Sequence, residues 1–223
     1  MRIRSFIIAY ALVLAILLFA DRRPGSNRED RYSHVVDLTA LPIGNALKAP
    51  SESKTRIIAP GALIPGTWGA GQIPSERLIA PLVVMDLNAA AVEVENEAPL
   101  SLDDIAAWEA RYGMIPQGSV IAIRGAGVNR KRSIPGVRDF PIAHDAAIFL
   151  IEGRSTIGFA LETPVDFSRD RTLAQQLALR GNYVVEGTAS FTSLPATGSL
   201  IIVAPQKNRV PGPAPVRVLA MAQ

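Results

Sequence analysis

The chain has 223 residues, 48% of them hydrophobic and 19% charged, with two histidines and no cysteine. An apolar share of this size fits one globular unit and excludes a disordered or collagen-like chain, while the lack of cysteine excludes disulfides, thiolate catalysis, iron–sulfur clusters and cysteine-type zinc sites. With 23 basic against 20 acidic residues the net charge is +3, too near balance for charge to imply a nucleic-acid partner.

At the start of the chain, Arg2 and Arg4 precede an unbroken apolar run from Phe6 to Ala20, which stops at Asp21-Arg22-Arg23-Pro24-Gly25. A positive start followed by about 15 apolar residues is the pattern of a secretory signal or a short anchor, since a comfortable membrane span needs roughly 20. Leu18 stands where a signal cut after Ala20 prefers a small residue, and the arginines beyond favour retention. Residues 1–20 are therefore expected to be a signal peptide or N-terminal membrane anchor. The domain is then exported, periplasmic or extracellular, or held at the inner membrane, with membrane contact only through this segment. Residues 21–33 are polar, charged and broken by Pro-Gly, as a linker that buries no surface should be. The folded domain is expected over 34–223.

Within it, Val35–Thr39 reads as a short strand and Leu82–Leu87 as a buried one. Ser101-Leu102-Asp103-Asp104 has capping-box spacing, Ile105, Trp108 and Tyr112 recur at helical period, and Gly113 ends the helix. Ser119–Ile123 reads as a strand, Ala143–Glu152 as a helix, Thr156–Leu161 as a strand and Leu173–Leu179 as a helix. Tyr183–Glu186, Leu200–Ala204 and Val216–Met221 complete the strands. Strands and helices mixed in this order predict an α/β domain.

Several phrases add to this. Ser75-Glu76-Arg77-Leu78 runs into an apolar strand ending Asp86-Leu87, and Trp108-Glu109 leads to Ile115-Pro116-Gln117-Gly118 and another strand. Ile157-Gly158 is followed by Glu162-Thr163-Pro164 and Asp166. Tyr183-Val184-Val185-Glu186, Phe191, Leu194-Pro195 and the closing Pro215-Val216-Arg217-Val218-Leu219-Ala220 follow in turn. Together these resemble the cyclase family, which includes bacterial kynurenine formamidases and isatin hydrolase, and the resemblance runs over roughly 34–221. It implies a mixed-sheet, swivelling β/β/α-type domain, a metal-dependent amide hydrolase ancestry using zinc or manganese, and a tendency to oligomerise.

The departures from that resemblance concern the metal. Active members carry H-x-G-T-H-x-D-x-P before the strand that ends here at Asp86. Aligned on Gly66-Thr67, the ligand positions of that motif are Ile64, Trp68 and Ala70, and its Pro is Gln72. A further family histidine falls on Ala174. Of the implied ligand set only Glu186 remains, and one carboxylate does not hold a divalent ion that needs three or four protein donors. No cofactor is therefore expected.

Other residues that could carry chemistry also have plainer roles. His34 and His144 lack ligand spacing and read as surface or capping residues. Ser190 and Ser193 lie near Glu186 but have no matched histidine and no G-x-S-x-G elbow. Gly125-Ala126-Gly127 with Arg130-Lys131-Arg132 lacks the third glycine and the following helix of a dinucleotide loop. Glu186 is the candidate catalytic residue as a general base, set against a plain buried carboxylate with hydrogen-bond partners. Thr67, Trp68 and Glu186 are the candidate ligand pocket, with Trp68 either plugging it or flooring it for a planar aromatic ligand.

The resulting expectation is an exported pseudoenzyme, acting by ligand binding or protein interaction, as a homo-oligomer or with a paralogue. The alternatives are an active arylformamidase-like hydrolase of a small aromatic or cyclic amide, with Glu186 as base and Thr67 positioning substrate, and an accessory subunit of an active paralogue.

Overall fold

The computed structural model describes residues 34–40, 54–87, 99–125, 139–168, 170–207 and 212–222. The sequence assignments for 1–20 and 21–33, and the Arg130-Lys131-Arg132 run, lie outside these. Among the described residues no helix is long and apolar enough to cross a membrane.

The domain is a mixed α/β fold built on a closed ring of strands. In chain order the elements are β1 (His34–Asp37), β2 (Arg56–Ile58), α1 (Pro60–Leu63), β3 (Ile79–Asp86), α2 (Leu102–Tyr112), β4 (Val120–Arg124), α3 (His144–Ile148), β5 (Gly158–Leu161), α4 (Arg171–Leu179), β6 (Tyr183–Glu186), β7 (Ser199–Pro205) and β8 (Ala214–Ala222). Strands β3, β4, β5 and β6 are parallel neighbours, and β2, β7 and β8 run antiparallel to theirs. The order β8–β2–β6–β5–β4–β3–β7 returns to β8, because β7 pairs with β8 along six residue pairs, and β1 adds to the β8 edge. Nine-residue β8 is long enough for β2 to take its start, at Ala214 and Pro215, and β1 its end, at Leu219–Ala222.

Alternation along the strands divides the core in two, as a sheet covered on both faces requires. Leu82, Val84, Val120, Ala122, Ala160, Tyr183 and Val185 face the ring interior with Ile201, Val203 and Val218. Val83, Met85, Ile121, Ile123, Phe159, Leu161 and Val184 face the helices, against Ile105, Trp108, Leu150, Leu173 and Leu177. Trp108 satisfies its indole by donating Nε1–H to the Val84 carbonyl at 3.1 Å.

The elements agree closely with the sequence pattern. Ser101 accepts from the Asp104 N–H at 3.3 Å and Asp104 Oδ2 accepts from the Ser101 N–H at 2.8 Å, which is the capping box, and Gly113 ends α2 at φ 91°. Two elements differ from the sequence pattern. Strand β3 starts at Ile79, ahead of the apolar run, and accommodates Pro81 because pairing with β4 begins only at Leu82, so Pro81 has one strand neighbour. The helix expected over Ala143–Glu152 widens after Ile148 into a π turn, Phe149–Gly153, before Ser155 at φ 53°.

Candidate functional site

Parallel strands put their carboxyl ends at one rim, the usual place for a site in an open or closed α/β sheet. Here that rim carries Asp86, Arg124, Glu162 and Glu186. Arg124 donates Nε–H to Asp86 at 3.1 Å and Nη1–H to the carbonyls of Phe191 and Leu194 at 3.3 Å each, holding the loop after β6. Glu162 accepts from the Ser190 hydroxyl at 3.1 Å and the Phe191 N–H at 3.0 Å. Ser190 is thus a loop hydroxyl on a carboxylate, and Ser193 is exposed.

Glu186 closes β6 on the face of Val184, and it is 2% exposed. A carboxylate taken this far from water must find donors. It finds two. Arg56 Nη2 donates to Oε1 at 2.8 Å, and the Val165 N–H donates to Oε2 at 3.1 Å. Arg56 is the direct cross-strand partner of Glu186, in a register also fixed by Ile57↔Val185 and Ile58↔Val184. The Thr55 hydroxyl donates to the Gly187 carbonyl at 2.8 Å and secures the same corner. The sequence reasoning missed Arg56. Its signal was an arginine in a three-residue strand, Arg56-Ile57-Ile58, too short and too close to Ala59-Pro60-Gly61 to stand out.

The residues expected to share a pocket are placed at opposite ends of β6. Because β2 runs antiparallel to β6, the chain leaving Arg56 through Ile57 and Ile58 moves away from Glu186. By Trp68 the chain has passed the start of β6: the Trp68 ring lies where a Cβ on Gly181 would come within 2.8 Å of it, and the whole of β6, about 10 Å long, runs between Gly181 and Glu186. Trp68 is 40% exposed, and its face has the Arg77 guanidinium 5.8 Å from the ring centre. It therefore neither plugs nor floors the space beside Glu186. The Thr67 hydroxyl donates to the Ile64 carbonyl at 2.8 Å, within the turn after α1. Ala70 is buried in the ring interior and Ala174 lies in the first turn of α4. The Gly66-Thr67 alignment thus brings Thr67 and Trp68 no nearer to Glu186, and the side chain that meets the carboxylate is Arg56.

Neither histidine joins the rim. His34 pairs with Ala222 at the sheet edge, and His144 Nδ1 lies 2.9 Å from Asp170 Oδ2 at the surface. Asp170 also caps α4 by accepting from the Leu173 N–H at 2.8 Å.

The family model described as putative cyclase matches residues 12–165, more than half of the chain. The chain belongs to the cyclase family. Isatin hydrolase A from Labrenzia aggregata, bound to benzyl benzoate, is 25% identical, with a TM-score of 0.67 over 85% of this chain and 93% of that one. Isatin hydrolase A from Ralstonia solanacearum is 23% identical, with a TM-score of 0.67 over 85% and 92%. A potential metal-dependent hydrolase with cyclase activity is 19% identical, with a TM-score of 0.62 over 85% and 98%. These last two show the shared fold. A search of curated proteins finds no match.

The metal-dependent description raises the question of whether a divalent ion fits this cyclase-family site. Among the described residues no three His, Cys, Asp or Glu side chains converge as a ligand group. Both oxygens of Glu186 already accept hydrogen bonds, and a guanidinium stands directly against one of them. Among the described residues, the donors around Glu186 do not fit a divalent metal.

Proposed function

We propose that this cyclase-family chain is an exported, non-catalytic member whose divalent-metal site has been lost, and that it acts by binding a small ligand or a protein partner on the inherited scaffold. A small aromatic compound is the ligand class, and a second copy of the chain or an active paralogue is the partner class. The observation that carries the reading is the state of Glu186, whose two oxygens are taken by Arg56 and Val165. A carboxylate so engaged is poorly placed to ligate metal or to accept a substrate proton.

The test is metal analysis of the purified protein together with hydrolysis of isatin and of an N-formyl aromatic amine, with and without chelator. The reading expects no stoichiometric zinc or manganese and no turnover above background. Chelator-sensitive hydrolysis overturns it and supports the second reading, an active amide hydrolase. That reading draws its support from the 25% identity to isatin hydrolase A from Labrenzia aggregata over most of both chains.

A further inference from the structure

Resting on the reading above, we infer that Arg56 is a tethered replacement for the cation of this site: a guanidinium carried on β2 supplies the positive charge that seats Glu186, with no divalent ion required. Three observations converge on it. Glu186 is 2% exposed, so its carboxylate needs a compensating charge. Arg56 stands opposite it by strand register and closes to 2.8 Å. The β2–β6 corner is locked on the following residue, where Gly187 at φ 66° leaves no room for a Cβ beside the Lys54 carbonyl. A slip of one residue in β2 would turn Arg56 to the ring interior, so register and charge pairing enforce each other.

The replacement keeps one property of a metal and discards another. A guanidinium neutralises the carboxylate and orients it through directed N–H bonds. It offers no open coordination position and remains protonated in proteins, so it does not generate a hydroxide nucleophile from bound water. The second donor on Glu186, the Val165 N–H, ties the segment after β5 to the same ion pair. Arg56 is thus a positioning residue. It sets Glu186, and through Glu186 the turn at Val165.

Thermal unfolding of the full chain tests this with Arg56→Ala, Arg56→Lys, Glu186→Gln and the double variant Arg56→Ala/Glu186→Gln. Arg56 is 39% exposed on its side chain, so the loss is smaller than for a fully buried pair: Arg56→Ala is expected to lower the melting temperature by roughly 4–8 °C. Arg56→Lys should recover part of that, and the double variant should melt above the sum of the two single losses. Low millimolar guanidinium should raise the melting temperature of Arg56→Ala and leave the wild type unchanged. A variant as stable as the wild type, strictly additive losses, or equal effects of added cation on both proteins overturns the inference. Stoichiometric metal in the wild type overturns the functional reading beneath it, so the two failures are told apart.

Discussion

Gly187 and Lys54 approach so closely that a Cβ on the glycine would stand 2.1 Å from the Lys54 carbonyl oxygen. The contact sits one residue beyond Glu186, and the glycine also holds a positive φ of 66°. Gly187→Ala must therefore both strain its backbone and push β2 from β6. A destabilisation of about 3 kcal/mol is expected in urea unfolding, at the upper end of single-residue effects. An alanine variant with an unchanged midpoint contradicts the approach.

A similar fit occurs inside the ring. A Cβ on Gly158 would meet the Tyr183 ring at 2.7 Å, and the Tyr183 hydroxyl donates to the Arg77 carbonyl at 2.9 Å. Burial pushes the Tyr183 phenol well above its ordinary value, so it remains a donor throughout the usual pH range. Gly158→Ala is expected to cost about 1–3 kcal/mol by overpacking. Tyr183→Phe, which leaves a carbonyl short of its donor, should cost about 1 kcal/mol. Chemical denaturation of both variants checks the order.

Acid should find the α2–π turn clamp. Arg154 donates Nε–H and Nη2–H to the two Glu109 oxygens at 2.6 and 2.7 Å, and that hydrogen bonding, with the Ile115 N–H, holds the Glu109 carboxyl below its ordinary value. A carboxyl lowered on folding stabilises fully above its unfolded value and loses that contribution as pH falls through the folded one. Glu109→Gln should therefore be less stable than the wild type by about 1–2 kcal/mol at pH 7. The gap should close as the pH falls below about 4, the ordinary glutamate range. A gap independent of pH would falsify the charge-based account.

The two tryptophans report separate places. Trp68 is 40% exposed and Trp108 is 8% exposed with its indole bonded. Acrylamide should quench mainly Trp68, and Trp68→Phe should leave a blue-shifted, poorly quenched emission. Equal quenching in the variant and wild type would mean that Trp68 is covered.

The fold was legible because most of its elements advertise themselves. Leu82–Leu87, Ser119–Ile123 and Tyr183–Glu186 are apolar runs of strand length, and Ser101 with Asp104 marks a helix start by chemistry alone. The cyclase-family resemblance was carried by phrases at strand ends, which the family match over 12–165 supports. The site was less legible, for one topological reason. Glu186 was singled out as a survivor and is buried with partners, but its neighbour depends on pairing between segments 130 residues apart. Sequence distance gave no hint that Arg56 meets it, and the nearby Gly66-Thr67 drew attention to Trp68, which an antiparallel β2 carries to the other end of β6.

The ring also sets an order of events. Strand β8 is synthesised after every strand it joins, yet β2 and β7 both depend on it for closure. Until Ala214–Ala222 emerges, the circuit lacks its last member, and the interior cluster lacks Ala214, Val216, Val218, Ala220 and Ala222. Contacts between segments so distant in sequence form slowly. The β7–β8 pair is local in sequence, whereas β2 meets β8 across more than 150 residues, which makes the β2–β8 seam the late step that closes the ring.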